Sequence, residues 1–366
     1  MPNLLTQPFL ASSAIISLAV VALGSQAAEA AFFRGLGYLP GLDTSSQASD
    51  ISADGTTVIG ISRKEGPGGR SSASFRWTAR TGLTKIPATN FLADAISDNG
   101  QVIVGSRSGS GEILRWSASQ GTTVLGPLGF ADGVSGDGSI VVGYTGRAAA
   151  TQAFQWTATI GLMGLEMPSG IDRLQGATDV SDSGAVIVGY SDNIQTGALV
   201  PVRWAGQTGF TQLGNHDFGA ASSVSSNGNI VVGFAGSANS DPDGEAFLWS
   251  SQQNIGLGDL QNGAGISIAT DVSDDGTVVV GSSTSNQGAP SLSFSLIFGD
   301  RPQEAFIWTR SRGMRSVRDV LINDFRLSLA GWTLLSAEAV SQDGITLVGT
   351  GINPNGKQEA WIARLD

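Results

Sequence analysis

One thirteen-residue pattern recurs seven times in this 366-residue chain, and it decides what the chain can fold into. The pattern is Ala-x-x-(Val/Ile)-Ser-x-x-Gly, followed by an apolar run that closes on a second glycine. The copies span 48–60, 93–105, 131–143, 177–189, 221–233, 269–281 and 337–349. Their turn glycines, Gly55, Gly100, Gly138, Gly184, Gly228, Gly276 and Gly344, are spaced by 45, 38, 46, 44, 48 and 68 residues. Ala-x-x-Val-Ser reads as a short strand, and Asp-Gly or Asn-Gly as a hairpin turn, because these residues accept positive φ at low cost. The run Val-Ile-Val-Gly is continuously apolar and β-branched, as in a strand buried on both faces.

Each copy continues into an aromatic strand. Six end it in Trp: Phe75-Arg76-Trp77, Leu114-Arg115-Trp116, Phe154-Gln155-Trp156, Val202-Arg203-Trp204, Phe247-Leu248-Trp249 and Phe306-Ile307-Trp308. In the seventh, Glu359-Ala360-Trp361 aligns with Glu245-Ala246-Phe247, so the Trp stands two residues earlier and keeps its face, since side chains in a strand alternate with period 2. A Gly-Leu-x-x-Leu segment, such as Gly161–Leu165, Gly209–Leu213 or Gly256–Leu260, reads as a fourth strand. Four antiparallel strands in about 40–45 residues make a propeller blade.

The expected fold is therefore all-β: a seven-bladed propeller of four-stranded blades. The seventh unit stops after its third strand, and Gly35–Leu42 has the fourth-strand spelling without a unit of its own. It is expected to complete the last blade and remove the open edge. A β-solenoid is the alternative, but it requires capping units, and none is visible. The sixth unit carries an insertion over 282–336. Ser282–Pro302 reads as a loop, and Ser316–Leu329 as a short amphipathic helix that either binds or caps one face.

Residues 1–30 read as a signal peptide, with an apolar Phe9–Leu23 and an Ala28-Glu29-Ala30 cleavage site, which leaves 31–366 as one domain. The apolar core falls short of the ~20 residues that span a bilayer. The expected location is periplasmic or extracellular, with no stable membrane insertion after cleavage. Without the leader the chain has 20 basic and 30 acidic residues, a net charge of −10 that argues against nucleic acid as a partner. Six of its 17 arginines fall between Arg301 and Arg326, and they read as a solvated surface more than an acidic-partner patch. The absence of Cys excludes disulfides, thiolate metal sites and Cys nucleophiles. A single His, His216, excludes poly-His metal sites; it reads as an exposed loop residue.

Few residues of the chain have the spacing that chemistry requires. Gly105–Gly109 has the spelling of a nucleophile elbow but lies in a hairpin, and the glycines of Gly256–Gly263 open no helix. Asp54, Asp98, Asp137, Asp182, Asp275 and Asp343 recur beside the turns, and they read as turn chemistry more than as a cation-binding ring. Asp241, Asp243 and Glu245 form a weak calcium candidate, since hard cations want several oxygens close together. No catalytic or cofactor-binding residue is assigned, and no cofactor is expected unless that segment binds calcium.

The combined pattern resembles the bacterial HAF-repeat family of extracellular repeat proteins, named for a His-Ala-Phe element in the third strand. Here that element reads Gln152-Ala153-Phe154, Glu245-Ala246-Phe247, Glu304-Ala305-Phe306 and Glu359-Ala360-Trp361, with the His replaced throughout. The resemblance covers 35–366 and includes Gly331-Trp332-Thr333-Leu334 and Asn353-Pro354-Asn355-Gly356 near the end. It implies a location and a fold more than an activity. The expected function is a monomeric, non-catalytic binding or scaffold propeller for an extracellular protein or glycan. The alternative is a secreted hydrolase or lyase acting on an extracellular polymer, whose mark would be carboxylates facing each other in one pocket with shifted pKa values.

Overall fold

The computed structural model describes residues 30–366, apart from 67–68, 148–149, 168–173, 194–195, 207–208, 238–240, 252, 261–264 and 290–300. The leader therefore lies outside the described residues, as does the apolar part of the insertion. Among the described residues twenty-eight strands form seven four-stranded antiparallel sheets, each a blade. The first, innermost strands are Ser45–Ile51, Phe91–Ile96, Gly129–Val134, Gln175–Val180, Phe218–Val224, Ser267–Val272 and Thr333–Val340. The apolar cores lie between blades. One cluster joins Leu36, Ile51, Val58 and Phe75 to Val348, Ala360 and Ile362, across the seam between the last blade and the first.

The seam is closed as expected, by a strand shifted from the expected segment. Phe32–Gly35 pairs antiparallel with Gln358–Arg364, with Gly35 opposite Trp361 and Phe32 opposite Arg364. The Leu36 N–H then donates to the Ala360 carbonyl at 2.8 Å. Gly35-Leu36 does align with Gly256-Leu257, but both glycines end their strands: the fourth strand of blade five is Gln253–Gly256. The side chains of Glu359 and Glu245 lie over these two glycines, so a Cβ at either would strike a carboxylate oxygen. The Gly-Leu spelling thus marks two registers, a strand start in Gly161–Gly164 and a strand end in the closing strand.

Two glycine rings hold the blades. The second-strand glycines have no room for a Cβ, which at Gly105, Gly143, Gly189 or Gly281 would meet the carbonyl of the first strand alongside. The turn glycines have φ between +68° and +75°. Against each packs the side chain that opens the second strand of the preceding blade: Thr57 on Gly100, Val102 on Gly138, Ile140 on Gly184, Val186 on Gly228, Ile230 on Gly276, Val278 on Gly344 and Thr346 on Gly55. The seventh contact crosses the seam.

Trp361 stands opposite Gly349, as Phe247 stands opposite Gly233 and Phe306 opposite Gly281, so the displaced aromatic keeps its face. In the insertion, Ser282–Ala289 continues the second strand of blade six, Val278–Ala289, where a loop was expected. The expected helix forms over Val317–Asn323, capped by Ser316, whose hydroxyl accepts the Asp319 N–H at 3.3 Å. It buries Val317, Val320 and Leu321 against the seam between blades six and seven, which makes it a cap.

Gly184→Ala combines a left-handed backbone with a Cβ placed on the Ile140 side chain, and is expected to cost about 3 kcal/mol. Gly82→Ala, at φ +64° with open space around it, is expected to cost only about 1 kcal/mol. Equal losses in denaturant unfolding would remove the packing role of the turn glycines.

Candidate functional site

The first strands do more than line the axis. In each blade the ladder skips one residue after the motif Ala, so Ala48 pairs with Gly60 and Asp50 with Ile59 while Ser49 stands unpaired. The same bulge leaves Asp94, Asp132, Thr178, Ser222, Thr270 and Glu338 unpaired in the other six. A bulge re-aims side chains. Both variable residues of Ala-x-x-Val, Gly133 excepted, therefore line the central channel, a cavity of about 200 Å³.

Nine carboxylates line it, and no Lys, Arg or His is among the described lining residues. Their neighbours fall into three tiers. Asp98, Asp182 and Asp274, which follow the motif Ser, lie at the turn-side mouth. Asp50, Asp179 and Asp271 form the middle tier; Asp94, Asp132 and Glu338 come from the bulge positions. No blade carries a carboxylate at both variable positions. Where the second is Asp50, Asp179 or Asp271, the first is Ser49, Thr178 or Thr270; where the first is Asp94, Asp132 or Glu338, the second is Ala95, Gly133 or Ala339.

The middle tier is tied into the ring. Asp50 accepts the Ile96 N–H of the next blade at 2.8 Å, Asp179 the Val224 N–H at 2.9 Å and Asp271 the Val340 N–H at 2.8 Å. The Ser223 hydroxyl lies 3.0 Å from Asp179 and 2.8 Å from Asp271. It has one proton to give, so a second hydrogen bond there needs a protonated carboxyl as donor. At the mouth, the Asp98 and Asp182 carboxyls meet over Gly136, where a Cβ would collide with Asp98. Gln342 donates to Asp98 at 2.9 Å and to Ser226 at 2.8 Å. Backbone bonds between blades run round this mouth, among them Ala53 N–H to Asp98 O at 3.2 Å and Gln342 N–H to Ala53 O at 3.1 Å.

Crowded acids out of bulk water hold their protons. Burial pushes Asp94 and Asp179 up to about 7, and burial together with the Asp182 carboxylate does the same for Asp98. Burial carries Asp50 and Asp132 well above the usual carboxylate range, with Asp271 adding to the first and Asp94 to the second. Burial also raises Asp271 and Glu338. Tyr190 is pushed up to about 12 by burial and then by Asp132. Among the described residues no three carboxylates converge as metal ligands would.

The structure divides the turn aspartates read from the sequence. Asp54, Asp137, Asp275 and Asp343 accept the hydroxyls of Ser52, Ser135, Ser273 and Ser341, which is turn chemistry. Asp98 and Asp182 stand one residue earlier relative to the glycine and face the channel. Asp50, Asp94, Asp132, Asp179, Asp271 and Glu338 escaped the sequence reading. Their signal was one carboxylate per copy in the variable pair, in every copy but the fifth.

The other candidates lie away from the channel. Asp241 and Asp243 fall on the strand Asp241–Ser250, with side chains outside the described residues; Glu245 lies over Gly256. His216 is half-buried where an exposed loop residue was expected. It hydrogen-bonds Asn254 at 2.8 Å and stacks on Phe247 at 5.8 Å, and burial lowers its pKa. In the arginine-rich stretch, Arg312 and Arg315 both pair with Asp324, at 2.8 and 2.7 Å, and Arg318 with Asp319 at 3.6 Å.

No protein-family model matches the chain, and no curated protein matches it. Among solved structures it is similar to an oligogalacturonate lyase from Vibrio parahaemolyticus, at 9% identity and a TM-score of 0.57, covering 92% of this chain and 98% of that one. It is also similar to the β-propeller domain of the trilobed protease from Pyrococcus furiosus, at 10% identity and a TM-score of 0.56, covering 87% and 95%. A puromycin-hydrolysing peptidase from Mycobacterium tuberculosis gives 10% identity and a TM-score of 0.54, covering 87% and 52%. At these identities the likeness shows the propeller fold alone.

The raised carboxylates make stability depend on pH with a definite sign. A group whose folded pKa lies above its unfolded value stabilises fully below the unfolded pKa, and this is lost as pH rises through the folded one. For Asp94, Asp98 and Asp179 the window runs from about 4 to about 7. Melting temperature is therefore expected to rise by several degrees as pH falls from 8 to 5. A flat or falling profile across that window would mean that the channel acids are ionised in the folded protein.

Proposed function

We propose that this chain is a secreted, non-catalytic binding or scaffold propeller of the HAF-repeat type, with an extracellular protein or glycan as its partner. The observation that carries this reading is the use made of the channel acids. Asp50, Asp179 and Asp271 each spend an oxygen on the backbone of the next blade. They hold the ring, which leaves its outer faces and clefts for recognition. Secretion is supported by the leader, and among the described residues no helix is long and apolar enough to cross a membrane.

One observation favours the second reading, a hydrolase or lyase: Asp98 and Asp182 face each other at the channel mouth, with Asp98 near 7. Charge and size weigh against it. A cavity of about 200 Å³ is smaller than most substrate pockets, and no Lys, Arg or His among its described lining residues offers a cation to an acidic polymer.

The deciding experiment uses residues 31–366, which contain the whole ring, beside the Asp98→Asn/Asp182→Asn double variant. Both are expected to retain the same partner from envelope material or the same member of a glycan panel, with no turnover of polysaccharides or peptides. Cleavage by the parent that the double variant loses would replace this reading with the enzyme.

A further inference from the structure

Two inter-blade clefts on the face that carries the hairpin turns differ in how the middle residue of the Phe-x-Trp element meets the next blade. Arg115 of blade two crosses to the Gly138 carbonyl of blade three at 3.3 and 3.2 Å, and Arg203 of blade four reaches the Gly228 carbonyl at 3.4 Å. Where this residue is the shorter Gln155 or Ile362, a cavity remains: about 510 Å³ between blades three and four, and about 400 Å³ between blades seven and one.

The two cavities have opposite chemistry. Leu165, Met167, Ile187, Trp204 and Phe210 line the first with one carboxylate, Glu166, and no cation is among its described lining residues. The second gathers Arg76, Arg80 and Arg364 from a strand of blade one, the turn after it and the last strand of the chain. Arg34 of the closing strand lies close by, over the Trp77 ring at 5.6 Å. Four of the chain's 17 arginines thus meet at the seam of a protein whose net charge is −11.

These guanidinium groups are only partly used. Arg76 donates to the Thr57 hydroxyl at 3.0 Å, and Arg364 pairs with Asp366 through Nε at 2.6 Å and Nη2 at 3.3 Å, which leaves its Nη1. Arg80 is exposed and has no hydrogen bond or ion pair among the described residues. The one carboxylate in the lining, Asp54, is occupied by the Ser52 hydroxyl and by the N–H and hydroxyl of Thr56. The cleft therefore offers spare donors of one sign in a volume suited to a small molecule.

We propose that the cleft between the last and first blades binds an oxyanion, the carboxylate or phosphate group of a small molecule, through Arg76, Arg80 and Arg364. Planar guanidinium forks match both groups, and their hydrogen bonds are charge-assisted. The inference is independent of how the channel is read, because it uses none of the channel residues.

Isothermal titration of residues 31–366 with inorganic phosphate, succinate and succinamide tests it. At least one anion is expected to bind saturably and the uncharged succinamide not at all, with affinity falling as salt rises. Binding of phosphate alone would name a phosphate as the group, and binding of succinate alone a carboxylate. Arg80→Ala, whose exposed side chain leaves the fold and melting temperature unchanged, is expected to weaken binding about ten-fold. Gln155→Ala, in the cleft that Glu166 lines and no described cation does, is expected to leave it as it was. Binding of neither anion, equal binding of succinamide, or binding indifferent to both Arg80→Ala and Arg364→Gln would overturn the proposal.

Discussion

The structure depends on a contact made seven times: the side chain that opens the second strand of one blade packs against the turn glycine of the next. The glycine is required by a φ near +70° and, in every copy but Gly100, by a neighbour that would stand within 3.0 Å of a Cβ. Because the seventh copy runs from Thr346 to Gly55, the contact spans the seam as it spans every other boundary. The closing strand Phe32–Gly35 then ties the two ends of the chain at the same seam, where Leu36 and Leu39 join a core with Ala360 and Ile362.

Closing the ring brings seven innermost strands together around a narrow axis, and the bulge in each turns two consecutive side chains toward it. This raises an electrostatic problem that the sequence answers in two ways. Each blade contributes at most one carboxylate from its variable pair, and burial, with the neighbouring acids adding to it, moves protonation toward neutrality, so that the nine acids do not all carry charge. Hydrogen bonds from neighbouring blades then turn the remaining charge into ring-holding contacts. At the periphery the inter-blade clefts differ: Arg115 and Arg203 cross theirs, and cavities remain beside Gln155 and Ile362.

Much of this was legible in the sequence. The hairpin turns, the doubly buried second strands and the shared face of Trp361 and Phe247 follow from local rules of turn chemistry and period-2 alternation. Ring closure was legible because Gly35–Leu42 had no unit of its own, yet its strand register was not. A Gly-Leu pair marks a strand start in one blade and a strand end in another, and the difference is set by a distant Glu359 or Glu245 lying over the glycine. The channel acids were hidden for a similar reason. The bulge that aims Asp94 and Asp132 inward is a property of pairing between strands, and adjacent residues such as Asp98 and Asn99 look alike until the fold separates mouth from turn. His216 read as a loop residue because its partners, Asn254 and Phe247, lie more than thirty residues away.

The central claim is that the ring is one cooperative unit whose seam is as firm as any other boundary. Native-state hydrogen exchange tests it most directly. The seam amide of Leu36, bonded to Ala360, is predicted to exchange with the same opening free energy as its counterpart in blade three, Leu165, bonded to Ala153. Exchange at Leu36 through a separate, lower-energy opening would contradict the account and show a ring that unzips at its closing strand.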